Sequence, residues 1–310
     1  MALPRQIGKR SHAKQALHPK QKTGEPTSAG VVAVEFGNRV SQPVLSLPGL
    51  PGRMALQDLV TGTRSPHLWL RLGWYDIRRR YRRSTLGPLW ITISMGAMVG
   101  SLGYLFTRLF QQEVSDYLPF LAAGFIVWGL IASFINEGST VFIDAAHIIG
   151  RVRVPLTVQV LRMVWRNIII FFHNLGILAV VMVVFGRSPG WACLLAVPGL
   201  VLLSLNGLWF GILLGTVSAR FRDVPPIVGS VVQIAFFLTP VIWKPDMRAD
   251  LSYFVNLNPF HHLMTVVREP LLGDVPALHN WLAACGTTLM GCTVAFLVYR
   301  SFRNRIAYWI

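Results

Sequence analysis

Acidic side chains are scarce in this chain. Against 29 lysines and arginines stand 13 aspartates and glutamates, a formal net charge of +16 over 310 residues. None of those carboxylates lies deep inside a long apolar stretch; Glu137 stands at the end of one. A carrier coupled to protons or ions needs buried carboxylates near the membrane midplane, so this scarcity argues against secondary transport. Cysteine is sparse too. Cys193, Cys285 and Cys292 lie in apolar stretches without metal-ligand spacing and read as reduced, packed thiols. No phosphate-cradling loop is encoded, because Gly8-Lys9 lacks both the upstream glycine and the following hydroxyl residue. Zincin, Cys-x-x-Cys and nucleophile-elbow motifs are missing as well. The chain therefore reads as a non-enzyme with no metal and no cofactor of its own. If ATP drives its work, another polypeptide must hydrolyse it.

What the sequence has in abundance is apolar residues, 53% of the total, with a mean hydropathy of +0.50. They gather into six stretches: Pro88–Leu109, Tyr117–Ile135, Val164–Phe185, Trp191–Val217, Pro226–Trp243 and Trp281–Tyr299. A bilayer core of ~30 Å takes ~20 helical residues. Backbone groups in lipid must pair within their own segment, which makes these stretches helices. The expected fold class is an all-α membrane protein with six transmembrane helices.

The cations report orientation. With the amino terminus inside, the inner segments 1–87, 136–166, 218–225 and 300–310 hold 15, 4, 2 and 3 Lys+Arg. The outer loops hold only Arg108, Arg187, Lys244, Arg248 and Arg268. That bias places both termini in the cytoplasm. No cleavable signal peptide is expected, since Val40–Leu50 is interrupted by Pro43 and Pro48.

Residues 1–63 are rich in Pro, Gly, Ser, Gln and Lys and read as a basic, disordered cytoplasmic tail. Residues 64–87 differ. Leu70, Trp74, Ile77 and Tyr81 recur at helical spacing while Arg71, Arg78, Arg79, Arg82 and Arg83 crowd the remaining surface. This predicts an amphipathic helix lying in the membrane interface. Residues 88–310 form the six-span domain, with Pro88 suited to the first turn of span one. Between spans two and three, Asn136–Met163 reads as a short helix plus a turn at the cytoplasmic surface. Gly207, Gly211 and Gly215 give span four a flat face for close helix packing inside one subunit, or at a dimer seam. Between spans five and six, Leu251–Phe260 and His262–Leu272 are too short to cross. They read as a re-entrant pair or as a surface loop.

Polar and aromatic candidates follow. His173, about nine residues into span three, is a candidate for a polar path beside Asn174, or an ordinary packed histidine. His261-His262 lacks further ligands for a metal. Trp90, Tyr104, Trp128, Phe134, Phe236, Phe237 and Trp243 are candidates to line a path for sugars, whose apolar faces stack on aromatic rings; helix packing and interfacial belts also place aromatics here.

Five motifs in order carry a resemblance. They are Asp76-Ile77-Arg78-Arg79-Arg80-Tyr81-Arg82-Arg83-Ser84-Thr85-Leu86-Gly87-Pro88-Leu89-Trp90, Ala146-His147-Ile148-Ile149-Gly150-Arg151-Val152-Arg153-Val154-Pro155, Ala219-Arg220-Phe221-Arg222-Asp223-Val224, Phe237-Leu238-Thr239-Pro240-Val241-Ile242-Trp243 and Leu257-Asn258-Pro259-Phe260. Over about residues 65–305 the chain resembles the membrane (permease) subunits of polysaccharide-exporting ABC transporters, the O-antigen, capsule and teichoic acid exporters. It departs at His147 and Gly150, where such proteins often carry Asn and Lys, and at Pro225-Pro226. The resemblance implies a homodimer with two copies of a separate ATPase that binds ATP and magnesium. It also implies a re-entrant external helical pair within 244–280 and a location in the bacterial inner membrane. The implied cargo is a polyprenyl-diphosphate-linked glycan, which would tie the chain to lipopolysaccharide biosynthesis. ATPase contacts are implied at Asp144, His147, Ile148, Arg151, Arg153, Pro155, Arg220, Arg222 and Asp223. Arg78, Arg79, Arg82 and Arg83 then stand where a lipid diphosphate would arrive, and arginine forks suit phosphate oxygens. Two rivals are a membrane-embedded glycosyltransferase, for which Asp246, Asp250 and Asp274 are scattered too widely, and an exporter of drugs or small lipids.

Overall fold

In the computed structural model, which describes residues 51–82, 89–152, 154–244 and 252–310, all regular structure among the described residues is helical. The elements are α1 (Pro51–Thr63), α2 (Pro66–Tyr81), α3 (Leu89–Phe110), α4 (Val114–Asp144), α5 (Ala146–Ile149) and α6 (Leu156–Val184). A 3-10 turn (Gly190–Leu195) follows, then α7 (Ala196–Arg220), α8 (Val224–Leu238), α9 (Ser252–Leu257), α10 (Pro259–Leu272) and α11 (Leu278–Trp309). Residues 1–50 of the expected tail, Arg83, Pro88, Arg153, Asp246, Arg248 and Asp250 lie outside the described residues.

Four helical runs among the described residues are long and apolar enough to cross a membrane. They are Val114–Ile149, Leu156–Val184, Gly190–Arg220 and Leu278–Trp309. α3 is a further apolar helix of 22 residues. α8 has 15 residues, about 22 Å at 1.5 Å each. It stops at Leu238 rather than Trp243 because Pro240 cannot continue a helix. Thr239 is driven to extended backbone (φ −94°, ψ 137°), as the residue before a proline is.

α4 is central and packs on α3, α6, α7, α8 and α10. The glycine face of α7 explains how α7 comes so near. The Phe134 ring covers Gly207, Val160 and Met163 cover Gly211, and Val141 and Phe142 cover Gly215. All three glycines are thus used within one chain. A Cβ on Gly211 would stand 2.6 Å from Val160 Cγ1, and one on Gly138 would stand 3.1 Å from the Gly211 Cα. Gly211→Leu is therefore expected to lower stability by about 1–3 kcal/mol through overpacking, read as a fall in the melting temperature of the purified protein in detergent.

Three expectations need correction. Pro51–Thr63 is not tail but helix, and it packs on α6 and α11. The segment Asn136–Met163 is mostly the continuation of two long helices, with only α5 and a turn between them. Arg166 pairs with Glu137 directly, and Arg162 and Arg166 share Asp76, so helix continues through charges that locally mark a chain leaving the membrane. Finally, Cys285 is exposed on α11 rather than packed, while Cys193 and Cys292 are half-buried; all three are free thiols.

Candidate functional site

Two ends of the bundle carry polar machinery. At the end that holds α5, buried carboxylates fasten α1 and α2 to the start of α6. The first residues of α6 have no cap of their own, because Pro155 stands at the capping position. Asp58 of α1 supplies the cap from outside the helix, accepting from the backbone N–H of Leu156 (3.2 Å) and Thr157 (3.0 Å) and from the Thr157 hydroxyl (2.6 Å). The Tyr299 hydroxyl (2.8 Å) and the Arg303 guanidinium (2.7 Å) of α11 donate to the same carboxylate. The Asp58 carboxylate is completely buried, and these donors repay its desolvation.

Asp76 of α2 is the second anchor. The guanidinium of Arg162 grips it in a fork, with Nε donating at 2.6 Å. Arg166 donates to Asp76 (3.1 Å) and to Glu137 of α4 (2.6 Å), and the Asn167 amide also donates to Glu137 (2.7 Å). Gly73 lets α2 lie close: a Cβ there would stand 2.8 Å from the Trp165 ring. The face of α2 that meets α6 is therefore Trp69, Gly73, Asp76 and Ile77. Trp74 and Tyr75 are exposed on the far side, which corrects the expected Leu70/Trp74/Ile77/Tyr81 stripe. The side chain of Tyr81 lies outside the described residues. Helical spacing puts Trp74 and Tyr75 on one outward face with Arg71, Arg78, Arg79 and Arg82, all exposed. Aromatic rings and arginine forks on one face suit a lipid headgroup region.

Also at this end, Asp144, His147 and Arg151 are exposed around α5, while Ile148 and Pro155 are half-buried beneath them. The Thr140 hydroxyl holds Asp144 at 2.7 Å. Arg220, Arg222 and Asp223 are exposed in the turn between α7 and α8.

At the opposite end, the turn after α8 has lost its helical partners and its carbonyls are bonded from three directions. Asn258 Nδ2 donates to the Leu238 carbonyl (3.3 Å) and to the Thr239 hydroxyl (2.9 Å). Arg268 Nη1 donates to the Pro240 carbonyl (2.7 Å), and the Tyr117 hydroxyl donates to the Ile242 carbonyl (2.6 Å). The Val241 carbonyl fits against Gly124, where a Cβ would stand 2.9 Å away. Asn258 also caps α10 through the Phe260 N–H (2.9 Å), and Gly273 ends that helix in left-handed conformation (φ 101°). The buried Arg268 guanidinium sits 4.4 Å over the Phe120 ring, with Lys244 5.6 Å from the same ring. Burial draws the Arg268 guanidinium down to about 10, so it stays cationic at neutral pH.

The histidine pair is consumed by packing. His262 Nε2 donates to the Asn256 carbonyl (2.8 Å) and Nδ1 meets the Asn280 side chain (2.7 Å), joining α9, α10 and α11. Burial first, then the charge of Arg268, pulls His261 down to about 3. An unfolded His261 takes up a proton below pH 6.5, whereas the folded one refuses it. Stability present above pH 6.5 is thus lost as pH falls towards 3. The expected loss is about 1–2 kcal/mol at pH 5, checked by melting curves from pH 7.5 to 5 that flatten in His261→Asn. No group of metal-ligating side chains gathers among the described residues.

The aromatic set divides. Trp128 and Phe134 are buried within the single chain; Trp128 meets Phe236 (5.8 Å) and Phe260 (5.9 Å), and Phe134 covers Gly207. Both are packing residues rather than lining, because α7 and α8 close over α4. Phe236 and Trp243 are half-buried. Trp90, Tyr104 and Phe237 are exposed on α3 and α8. His173 is exposed and its Nδ1 lies 2.8 Å from the Ile169 carbonyl, whereas Asn174 is buried, so the two do not form one polar path.

Asp58, the Arg162–Asp76–Arg166–Glu137 network and the Arg268 anchor were not anticipated. Asp76 offered a signal, being the one acid in an arginine-rich helix. Asp58 offered none, because its partners lie 98 to 245 residues away.

Residues 67–272 match the family described as ABC-2 type transporter. The chain is 28% identical over 240 residues to an O-antigen export system permease protein RfbA of Myxococcus xanthus, covering 75% of this chain and 91% of the relative. Two Klebsiella pneumoniae proteins of the same name are 25% identical over 197 residues and 24% over 205. They cover 63% and 64% of this chain, and 76% and 78% of the relatives.

Proposed function

Since the chain belongs to the ABC-2 type transporter family and is a membrane permease subunit of it, we propose that it forms the channel of an ATP-driven exporter of polyprenyl-diphosphate-linked polysaccharide, O-antigen foremost. The observation that carries the cargo is the likeness, over most of the chain, to relatives named for O-antigen export. Capsule or teichoic acid is the alternative cargo.

In this reading α3, α4, α6, α7, α8 and α11 are the six spans, with α8 reaching across together with the turn held by Asn258, Arg268 and Tyr117. α9 and α10 are the re-entrant pair on the outer side. The α5 end faces the cytoplasm, in keeping with its cations. Two copies pair, and two copies of a separate ATPase bind ATP and magnesium beneath them. The outward face of α2 meets the diphosphate of the lipid carrier in the inner leaflet. The exposed Trp90, Tyr104 and Phe237 offer rings to the passing sugars.

Chromosomal deletion of this chain tests the reading. Lipid-linked glycan should accumulate on the cytoplasmic side of the inner membrane while surface glycan disappears, and the intact gene should restore export. Undiminished surface glycan after deletion would overturn it. The chemistry of the stranded glycan separates O-antigen from capsule and teichoic acid.

A further inference from the structure

We propose that the last turn of α11 is part of the docking surface for the ATPase, joined to the α7–α8 turn as one patch. This rests on the reading that a separate ATPase partners the chain. The two segments are 87 residues apart in sequence and locked together. The Arg220 guanidinium lies 5.3 Å from the Trp309 ring and 5.4 Å from the Phe221 ring. Arg222 donates to the Trp309 carbonyl at 3.4 Å. Both cations stand at the negative end of the α11 dipole, which favours them there. Ile306, fully buried, and the Phe302–Trp309 ring contact (5.8 Å) hold the turn from the other side.

This bracing leaves large side chains facing outward. Tyr308 is 89% exposed, more than any other large apolar side chain among the described residues, and Phe221 is 55% exposed. Arg220, Arg222, Asp223 and Arg305 are exposed with them. Arg305 stands one helical turn before Tyr308, on the same face. Arginine and aromatic side chains are what the anchor points of protein interfaces are made of. The excess of cations asks for a partner surface that is acidic around an apolar centre. Asp223 within the patch disfavours anionic lipid as the occupant.

The test is photocrosslinking in cells that express the full-length chain with its ATPase. p-Benzoylphenylalanine is placed singly at Tyr308, at Val152 beside α5 and at Val183 near the opposite end, all exposed positions. Irradiation should join positions 308 and 152 to the ATPase and leave position 183 unjoined. A product at 152 but not at 308 refutes this inference and leaves the permease reading standing. Products at 308 with lipid or with a second copy alone also refute it. No ATPase product at either position refutes both. In the same cells, Tyr308→Ala with Arg305→Glu should reduce the ATPase retained on purification about five- to tenfold at an unchanged level of permease. Unchanged retention would count against the patch.

Discussion

Asp58→Ala should cost this permease on the order of 3–5 kcal/mol, the scale of removing one partner from a buried ion pair. The alanine leaves the Arg303 guanidinium without its acid, the Tyr299 hydroxyl without its acceptor, and the Leu156 and Thr157 amides uncapped. Three elements would part together: α1, the start of α6 and the far end of α11. The expected reading is a melting temperature lower by about ten degrees in detergent, with much less protein reaching the membrane. Asp58→Asn keeps an acceptor for the α6 amides but loses the charge that Arg303 needs, so it should fall between wild type and alanine. Equal melting temperatures for all three proteins would show that α1 is not part of the folded unit.

The second large effect falls on export and not on folding. Arg78, Arg79 and Arg82 are exposed, and reversing all three to glutamate removes no packing. If these forks receive the lipid diphosphate, export should fall ten- to a hundredfold, since charge-assisted bonds contribute about 1.5–3 kcal/mol each. The lysine triple variant separates recognition from simple anchoring. Lysine satisfies the positive-inside preference equally well but cannot form the bidentate fork. Partial export in the lysine protein, with normal insertion, supports recognition. Full export there would reduce these arginines to anchors. The measurement is surface glycan per cell at matched permease levels.

The apolar runs were legible because lipid leaves the backbone so few options. Most ends of the long apolar runs lie within a few residues of the helix ends. The ends that differ are those where charge sits inside a helix and that of α8, which Pro240 stops at Leu238, short of Trp243. Glu137, Arg162 and Arg166 read locally as exits from the membrane, yet Arg166 bonds Glu137 of α4 and shares Asp76 of α2 with Arg162. Such pairing is long-range and leaves no periodic trace. α1 was hidden for a similar reason. Its composition resembles that of residues 1–50, and its place depends on one aspartate meeting helices encoded far away. Aromatic residues were the least legible, because a ring that packs and a ring that lines a path have the same sequence signature. Trp128 and Tyr104 became distinguishable only when the burial of one and the exposure of the other were known. The glycines of α7 were informative: their spacing announced a close approach, and the structure supplies Phe134, Val160 and Phe142 as what approaches.

The most direct test of the central claim is the mass of the intact complex after mild-detergent purification of this chain from its native host. Two copies of the chain with two copies of a subunit bearing a phosphate-binding loop are the expected result, and adding ATP with magnesium should change how firmly they hold together. A chain that emerges alone, whatever detergent or nucleotide is used, would contradict the account and point to a stand-alone channel.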